Sequence, residues 1–83
     1  MNLHQLRFVR EVVRQNFNLT SAAKALFTSQ PGVSKGIIEL EDELGVQIFQ
    51  RHTADVSFTP TGNLLIEQAQ LVIQAVKRFT VMA

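Results

Sequence analysis

Apolar residues recur at helical spacing in three stretches of the chain, and at strand spacing in a fourth. In the first, Leu3, Leu6, Val9 or Val12, and Val13 line one side of a helix over residues 3–16. Arg7, Arg10, Glu11 and Arg14 fall off that stripe, where the arginines can reach a phosphate backbone. Asn16 and Asn18 flank Phe17 and read as turn residues. A short alanine-rich helix over 21–27 is expected next, with Thr20 as its cap and Leu19 as a hydrophobic staple. Ala22, Ala23 and Ala25 allow a close helix crossing, and Leu26 and Phe27 are expected to add bulk to the core.

The second periodic stretch, 29–44, reads as a helix punctuated at both ends. Ser29 is a favourable N-cap, Pro31 falls in the first turn where its missing N–H matters little, and Gly45 suits a left-handed terminus. Val33, Ile37, Leu40 and Leu44 make its apolar stripe, while Gln30, Ser34 and Lys35 occupy the other face of its first turns. A short helix, a tight turn and a capped second helix form a helix-turn-helix pattern.

After Gly45 the period shortens to two. Val46, Ile48 and Gln50 alternate with Gln47 and Phe49, and Val56 and Phe58 alternate with Asp55 and Ser57. This predicts a two-stranded hairpin, or wing, around residues 52–54, leaning on the helices through Ile48, Phe49 and Phe58. Thr59 then caps a last helix with Pro60 at its first position, and Gly62 is expected to permit a close approach. Leu65, Ala69, Val72, Val76 and Phe79 form a seam of coiled-coil spacing, widened by Leu64, Ile66, Leu71, Ile73 and Val81. Helical to Ala83, the element is about 36 Å long. One side is expected on the domain and the other on a second copy.

Composition narrows the chemistry. A chain of 83 residues makes one small domain with a marginal core, which a second copy would help to stabilise. Cysteine is absent, and His4 and His52 are the only histidines and lie in separate elements. No carboxylate pair, metal-ligand cluster or glycine-rich phosphate loop accompanies them, so neither an enzyme, a metal, a cofactor nor a small-molecule site is expected. The charged N-terminus lacks the apolar core of a signal peptide, and no run is long enough for a membrane span, so a cytoplasmic location is expected. The net charge of +1 conceals an asymmetry. Residues 1–38 hold Arg7, Arg10, Arg14, Lys24 and Lys35 against Glu11 alone, whereas residues 39–55 hold Glu39, Glu41, Asp42, Glu43 and Asp55 against Arg51. One surface is therefore suited to a polyanion and another is not.

Essentially the whole chain resembles the N-terminal DNA-binding domain of LysR-type transcriptional regulators. The resemblance rests on LHQLRFV, LTSAAKAL, TSQPGVSK, LEDELGVQIFQR and TPTG, in that order and spacing. The TSQPGVSK and ELEDELG wording looks most like the branch that regulates sulfur assimilation. It implies a mainly α fold: a winged helix-turn-helix over 1–59, with a small two-stranded wing, then a long linker helix over 60–83 that pairs two subunits. Against the full-length members, which carry an effector-binding domain, the resemblance implies that this domain is missing here and that a chain ending at Ala83 within an apolar helix is expected to be an excised fragment or a truncated product. The resemblance makes 29–44 the recognition helix. Gln30, Pro31, Ser34 and Lys35 match positions that approach DNA, and Thr28 and Ser29 match backbone-contacting positions. It implies double-stranded DNA as partner and a homodimer through Leu65, Ala69, Val72, Val76 and Phe79, with a tetramer when full length.

Two departures stand out. Wings in the family are usually rich in glycine and arginine, whereas this one carries Asp55 near its tip, so phosphate contact there rests on Arg51. Gly36 sits in mid-helix at a cost of about 1 kcal/mol against alanine, and is expected to admit close approach of DNA. An alternative role is a truncated interaction module that dimerises with full-length regulators but binds DNA only weakly.

Overall fold

Local end signals set the elements. In the computed structural model, which describes residues 1–52 and 55–82, the order is α1 (Leu3–Arg14), α2 (Leu19–Ala25), α3 (Gln30–Leu44), β1 (Phe49–Arg51), β2 (Val56–Phe58) and α4 (Pro60–Met82). The expected mainly α winged helix-turn-helix with a long last helix is what the chain adopts. The hairpin tip at Thr53 and Ala54, and Ala83, lie outside the described residues.

The first helix opens with a capping box. The Asn2 side chain accepts from the Gln5 N–H at 2.9 Å and the Asn2 N–H donates to Gln5 Oε1 at 3.1 Å. This buries Gln5 beside Val9 and Val12, so the buried face is rotated from the expected stripe and leaves Leu6 and Val13 half-buried.

Asn18, not Thr20, caps α2, accepting from the Ser21 N–H at 2.8 Å; Leu19 is consequently the first helical residue and no staple. The helix closes with two crossed bonds, Thr28 N–H to the Ala23 carbonyl at 3.0 Å and Phe27 N–H to the Lys24 carbonyl at 3.2 Å. That pairing is a Schellman motif, and it places Phe27 in the left-handed region at φ 56°. The expectation that Phe27 fills the core is corrected here: it is 97% exposed, because the left-handed turn carries the residue beyond the helix pair.

Helix α3 keeps its expected bounds, with Ser29 Oγ accepting from the Gly32 N–H at 3.1 Å and Gly45 at φ 71°. Val33, Ile37 and Leu40 are buried, whereas Leu44 is exposed. Val12, Val33, Ile37, Leu40 and Ile73 are the largest fully buried side chains. Each stabilises the fold by roughly 1.5–3 kcal/mol relative to exposure.

The wing is shorter than expected. Val46 and Gln47 form a connection rather than strand, because Ile48 and Phe49 are both buried and break the alternation. The Glu41 carboxylate reaches over from α3 and accepts from both of their N–H groups, at 2.7 and 3.2 Å. The antiparallel register pairs Phe49 with Phe58, Gln50 with Ser57 and Arg51 with Val56. Phe49 and Phe58 stack with centroids 5.5 Å apart, and Phe17 meets Phe58 edge-on at 5.1 Å. The Phe17 carbonyl also accepts from the Val56 N–H at 3.2 Å, so the turn after α1 braces a ribbon too small to stand alone.

Thr59 caps α4 as expected, its Oγ1 accepting from the Gly62 N–H at 2.9 Å. The expected close approach at Gly62 is present: a Cβ there would sit 2.0 Å from the Ile48 carbonyl oxygen. The face on the domain is Gly62, Ile66, Ala69 and Ile73. Ile66 and Ile73, expected only to widen the stripe, therefore do the mounting. Leu64, Leu71, Val72, Phe79 and Val81 remain exposed. The protruding helix makes the chain 43 Å long and gives a radius of gyration of 12.6 Å. Among the described residues no helix is long and apolar enough to cross a membrane.

Gly62→Ala is expected to destabilise the fold by about 1–3 kcal/mol, since the obstruction is backbone and cannot swing aside. Urea unfolding checks this, and a variant as stable as the parent would contradict the contact.

Candidate nucleic-acid interface

The first turns of α3 and the base of the wing converge. Ser29 ends its extended segment by capping α3, which turns the chain and leaves Thr28, Ser29 and Pro31 exposed. The hydroxyls of Thr28 and Ser29 both lie beside Gly32, within 3.4 and 3.0 Å of the position a Cβ would take, so the turn folds against the first helical turn. Gln30 and Ser34 are half-buried and joined: Gln30 Nε2 donates to Ser34 Oγ at 2.9 Å. That bond spans one turn along the helix and leaves the amide carbonyl oxygen unengaged by Ser34.

Lys35 is exposed and stands 4.0 Å from Glu39 Oε1, one turn on. An exposed pair at that distance contributes little, so the ammonium is readily exchanged to a stronger anion. Arg51, at the end of β1, is exposed and shares a cavity of about 320 Å³ with Gln30, Thr20 and His52. The fold thus brings Arg51 to the N-terminal end of α3 although the two are distant in sequence. His52 itself is tied to the wing, its Nε2 lying 2.8 Å from Ser57 Oγ. Asp55 lines the same cavity, and its charge opposes a polyanion there.

Thr20, expected to cap α2, has another place in the structure. Freed from capping by Asn18, it is exposed beside Gln30 and Arg51. The signal available was Asn18 followed three residues later by Ser21, a cap spacing that competes with Thr20. Gly36 is a second correction. It is buried against α1, and a Cβ on it would lie 2.7 Å from two ring carbons of Phe8. Its missing side chain accommodates Phe8 and not DNA.

Charge away from this end is arranged differently. A larger open groove of about 690 Å³ runs between the second half of α3 and the wing, past Glu41 and Asp42. Glu43 pairs with the N-terminal ammonium of Met1, and Glu41 is engaged by the β1 backbone. On α1, Arg14 pairs with Glu11 at 3.6 Å. Burial, and then the charges of Arg14 and Arg7, hold the Arg10 guanidinium below its ordinary range, with Glu11 acting the other way. Arg10 Nε is enclosed without a hydrogen-bond partner among the described residues. Among the described residues no group of His, Cys, Asp and Glu is placed to hold a metal ion.

Of the seam residues, Ala69 is buried in the monomer and Leu65 and Val76 are half-buried, while Val72 and Phe79 are exposed. An apolar cavity of about 180 Å³ lies beside them, lined by Leu6, Leu40, Leu44, Leu65 and Val72.

Residues 3–63 match the model of the bacterial regulatory helix-turn-helix proteins of the lysR family. The chain is 65% identical over 78 residues to the HTH-type transcriptional regulator CysB of Burkholderia cenocepacia, covering 93% of this chain and 25% of that protein. It is 52% identical over 77 residues to the CysB regulator of Haemophilus influenzae, covering 90% of this chain and 24% of that protein. The chain thus spans about a quarter of the length of the curated relatives it matches. Its structure is similar to that of the CbnR DNA-binding domain in complex with DNA, with a TM-score of 0.93 at 28% identity over 99% of this chain and 93% of that one. It is also similar to the BenM DNA-binding domain on its benA site 1 DNA, with a TM-score of 0.90 at 34% identity over 99% of this chain and 91% of that one.

Gly36→Ala is expected to destabilise the chain by about 1–3 kcal/mol through the clash with Phe8, against a helix propensity that favours alanine by about 1 kcal/mol. Combining it with Phe8→Leu is expected to recover part of the loss in a urea double-mutant cycle. A stabilised single variant would show that Phe8 moves away freely.

Proposed function

The chain belongs to the lysR family of bacterial regulatory helix-turn-helix proteins, and from that premise we propose how it reads double-stranded DNA. It is the helix-turn-helix DNA-binding domain of a transcription regulator and not an enzyme. The observation that carries the reading is the meeting of Gln30, bonded to Ser34 on the first turns of α3, with Arg51 from the wing; Lys35 is exposed on the same turns. The N-terminal end of a helix attracts anions through its free N–H groups and dipole. In helix-turn-helix proteins that end enters the major groove.

Gln30 then reads a base edge. Its amide can pair with adenine in two-headed fashion once the Ser34 bond is exchanged. Pro31 offers an apolar contact to a thymine methyl, and Lys35 donates to guanine or to phosphate. Thr28, Ser29 and Ser34 hold the phosphate backbone and fix register. Arg51 takes a phosphate at the groove edge. The acids of the second half of α3 stay outside the contact, where the helix leaves the groove. Residues 1–59 make the DNA-binding unit and residues 60–83 the linker helix. Its uncovered Val72 and Phe79, with Leu65 and Val76 beside them, support pairing with a second copy, whereas Ala69 of the expected seam is taken up by the domain. A simple dimer of this kind presents two recognition helices roughly 34–36 Å apart. The 65% identity with a CysB regulator supports assignment to the sulfur-assimilation branch. Action on chromosomal DNA puts the domain in the bacterial cytoplasm.

The exposed apolar edge of α4 and the acid Asp55 beside Arg51 on the wing favour a second reading, an interaction module that pairs with full-length regulators. Fluorescence anisotropy separates the two. With a duplex selected from a random pool, affinity is expected to fall as salt rises, the log–log slope shrinking by about one for Lys35→Ala and for Arg51→Ala. Gln30→Ala is expected to weaken the selected duplex by about 1–3 kcal/mol and mixed-sequence DNA far less. A chain that dimerises but binds no duplex at low salt would sink DNA reading in favour of the module.

A further inference from the structure

Three helix ends in this domain use a left-handed residue, and they are not equivalent. After α1 the position is held by Asn16 at φ 56°, and after α3 by Gly45 at φ 71°. These are the two residue types that tolerate the conformation best. After α2 it is held by Phe27 at φ 56°, in a Schellman motif whose two closing bonds are both formed. A phenylalanine there meets the steric penalty of a Cβ in a left-handed turn. Phe17 also has a positive φ, of 64°, but its ring is packed against Phe49 and Phe58. Phe27 has no such compensation. It is 97% exposed, more than Phe79 at 75% or Leu64 at 70% on the uncovered edge of α4.

One exposed apolar side chain is ordinary. An aromatic ring in a turn that favours glycine, too exposed to gain packing from the described residues that would offset the strain, is the pattern expected where strain is retained for function. Its place names the occupant. Phe27 is followed directly by Thr28, Ser29 and Gln30, and the Thr28 and Ser29 hydroxyls lie against the first turn of α3 at Gly32. Phe27 thus opens a run of exposed residues, Phe27, Thr28 and Ser29, that leads directly into the surface assigned to DNA.

We propose that Phe27 is a DNA-contacting residue, its ring closing on the apolar surface at the rim of the major groove, formed by deoxyribose and thymine methyl groups. This rests on the DNA-binding reading above and adds a residue to it. The ring has no hydrogen-bonding group, so it excludes water around the neighbouring polar contacts and selects for apolar groove edges. Strain at this turn is accordingly kept at the expense of the free domain's stability.

The test measures stability and binding on the same variants of the whole chain. Phe27→Gly and Phe27→Asn are expected to unfold at an equal or higher urea concentration than the parent, since both relieve the left-handed turn. Their affinity for a duplex selected by the parent from a random pool is expected to fall roughly tenfold, while Phe27→Tyr, which keeps the ring, stays close to the parent. Replacing thymine by deoxyuridine in that duplex assigns the contact: a loss seen with the parent but not with Phe27→Gly indicates the methyl groups, and no loss in either indicates deoxyribose. Unchanged affinity in Phe27→Gly, with Gln30→Ala weakened, overturns the role of Phe27 and leaves DNA binding standing. Failure of the parent to bind any duplex overturns both. A Phe27→Gly chain that loses self-association in sedimentation assigns the ring to a second copy and also overturns the proposal.

Discussion

The backbone of Ile48 joins the three parts of this domain. Its N–H donates to Glu41 on α3, and its carbonyl accepts from the Thr59 N–H at 3.0 Å and from Thr59 Oγ1 at 3.2 Å. The same carbonyl lies so close to α4 that only a glycine fits at position 62. Helix α3, the entry to the wing and the start of α4 are therefore fixed relative to one another at one residue. Glu41, read from the sequence as one of a run of surface acids, is half-buried, and one of its carboxylate oxygens accepts two charge-assisted hydrogen bonds at this joint. Arg51 reaches the N-terminal end of α3 because β1 starts from that joint.

The wing shows how a ribbon of three-residue strands persists. Two-stranded ribbons are marginal in water. Here Phe17, Phe49 and Phe58 form one aromatic cluster, and Val56 bonds to the Phe17 carbonyl. The left-handed Asn16 and Phe17 aim that carbonyl and ring toward the ribbon. Strain at Phe17 is offset by packing within the monomer. At Phe27 it is not, and the contrast between two phenylalanines in the same backbone region separates a structural residue from one facing outward.

Electrostatics divide the surface along α3 itself. Its first turns carry Lys35 and the Gln30–Ser34 pair, and its last turns carry acids engaged by Met1, Ile48 and Phe49. A polyanion is attracted to one end of the helix by the dipole and the basic side chains and repelled from the other. The small net charge of +1 hides this because the two ends cancel.

Much of the architecture was legible because its signals are local. Ser29 and Gly45 bound α3, Thr59 and Pro60 start α4, and the need for close approach at Gly62 follows from glycine in a first helical turn. The family follows from motif order, and the first turns of α3 proposed to face DNA were singled out by the same short sequence that caps the helix. What only the tertiary structure decided concerns direction and distance. Periodicity gives the width of an apolar stripe but not its rotation about the helix axis. Hence Ile66 and Ile73 rather than Val72 and Phe79 meet the domain, and Gln5 is buried ahead of Leu6. Gly36 faces Phe8, Glu41 serves the wing and Phe27 stands in solvent, because each is set by a neighbour remote in sequence or by a turn whose φ no side chain announces.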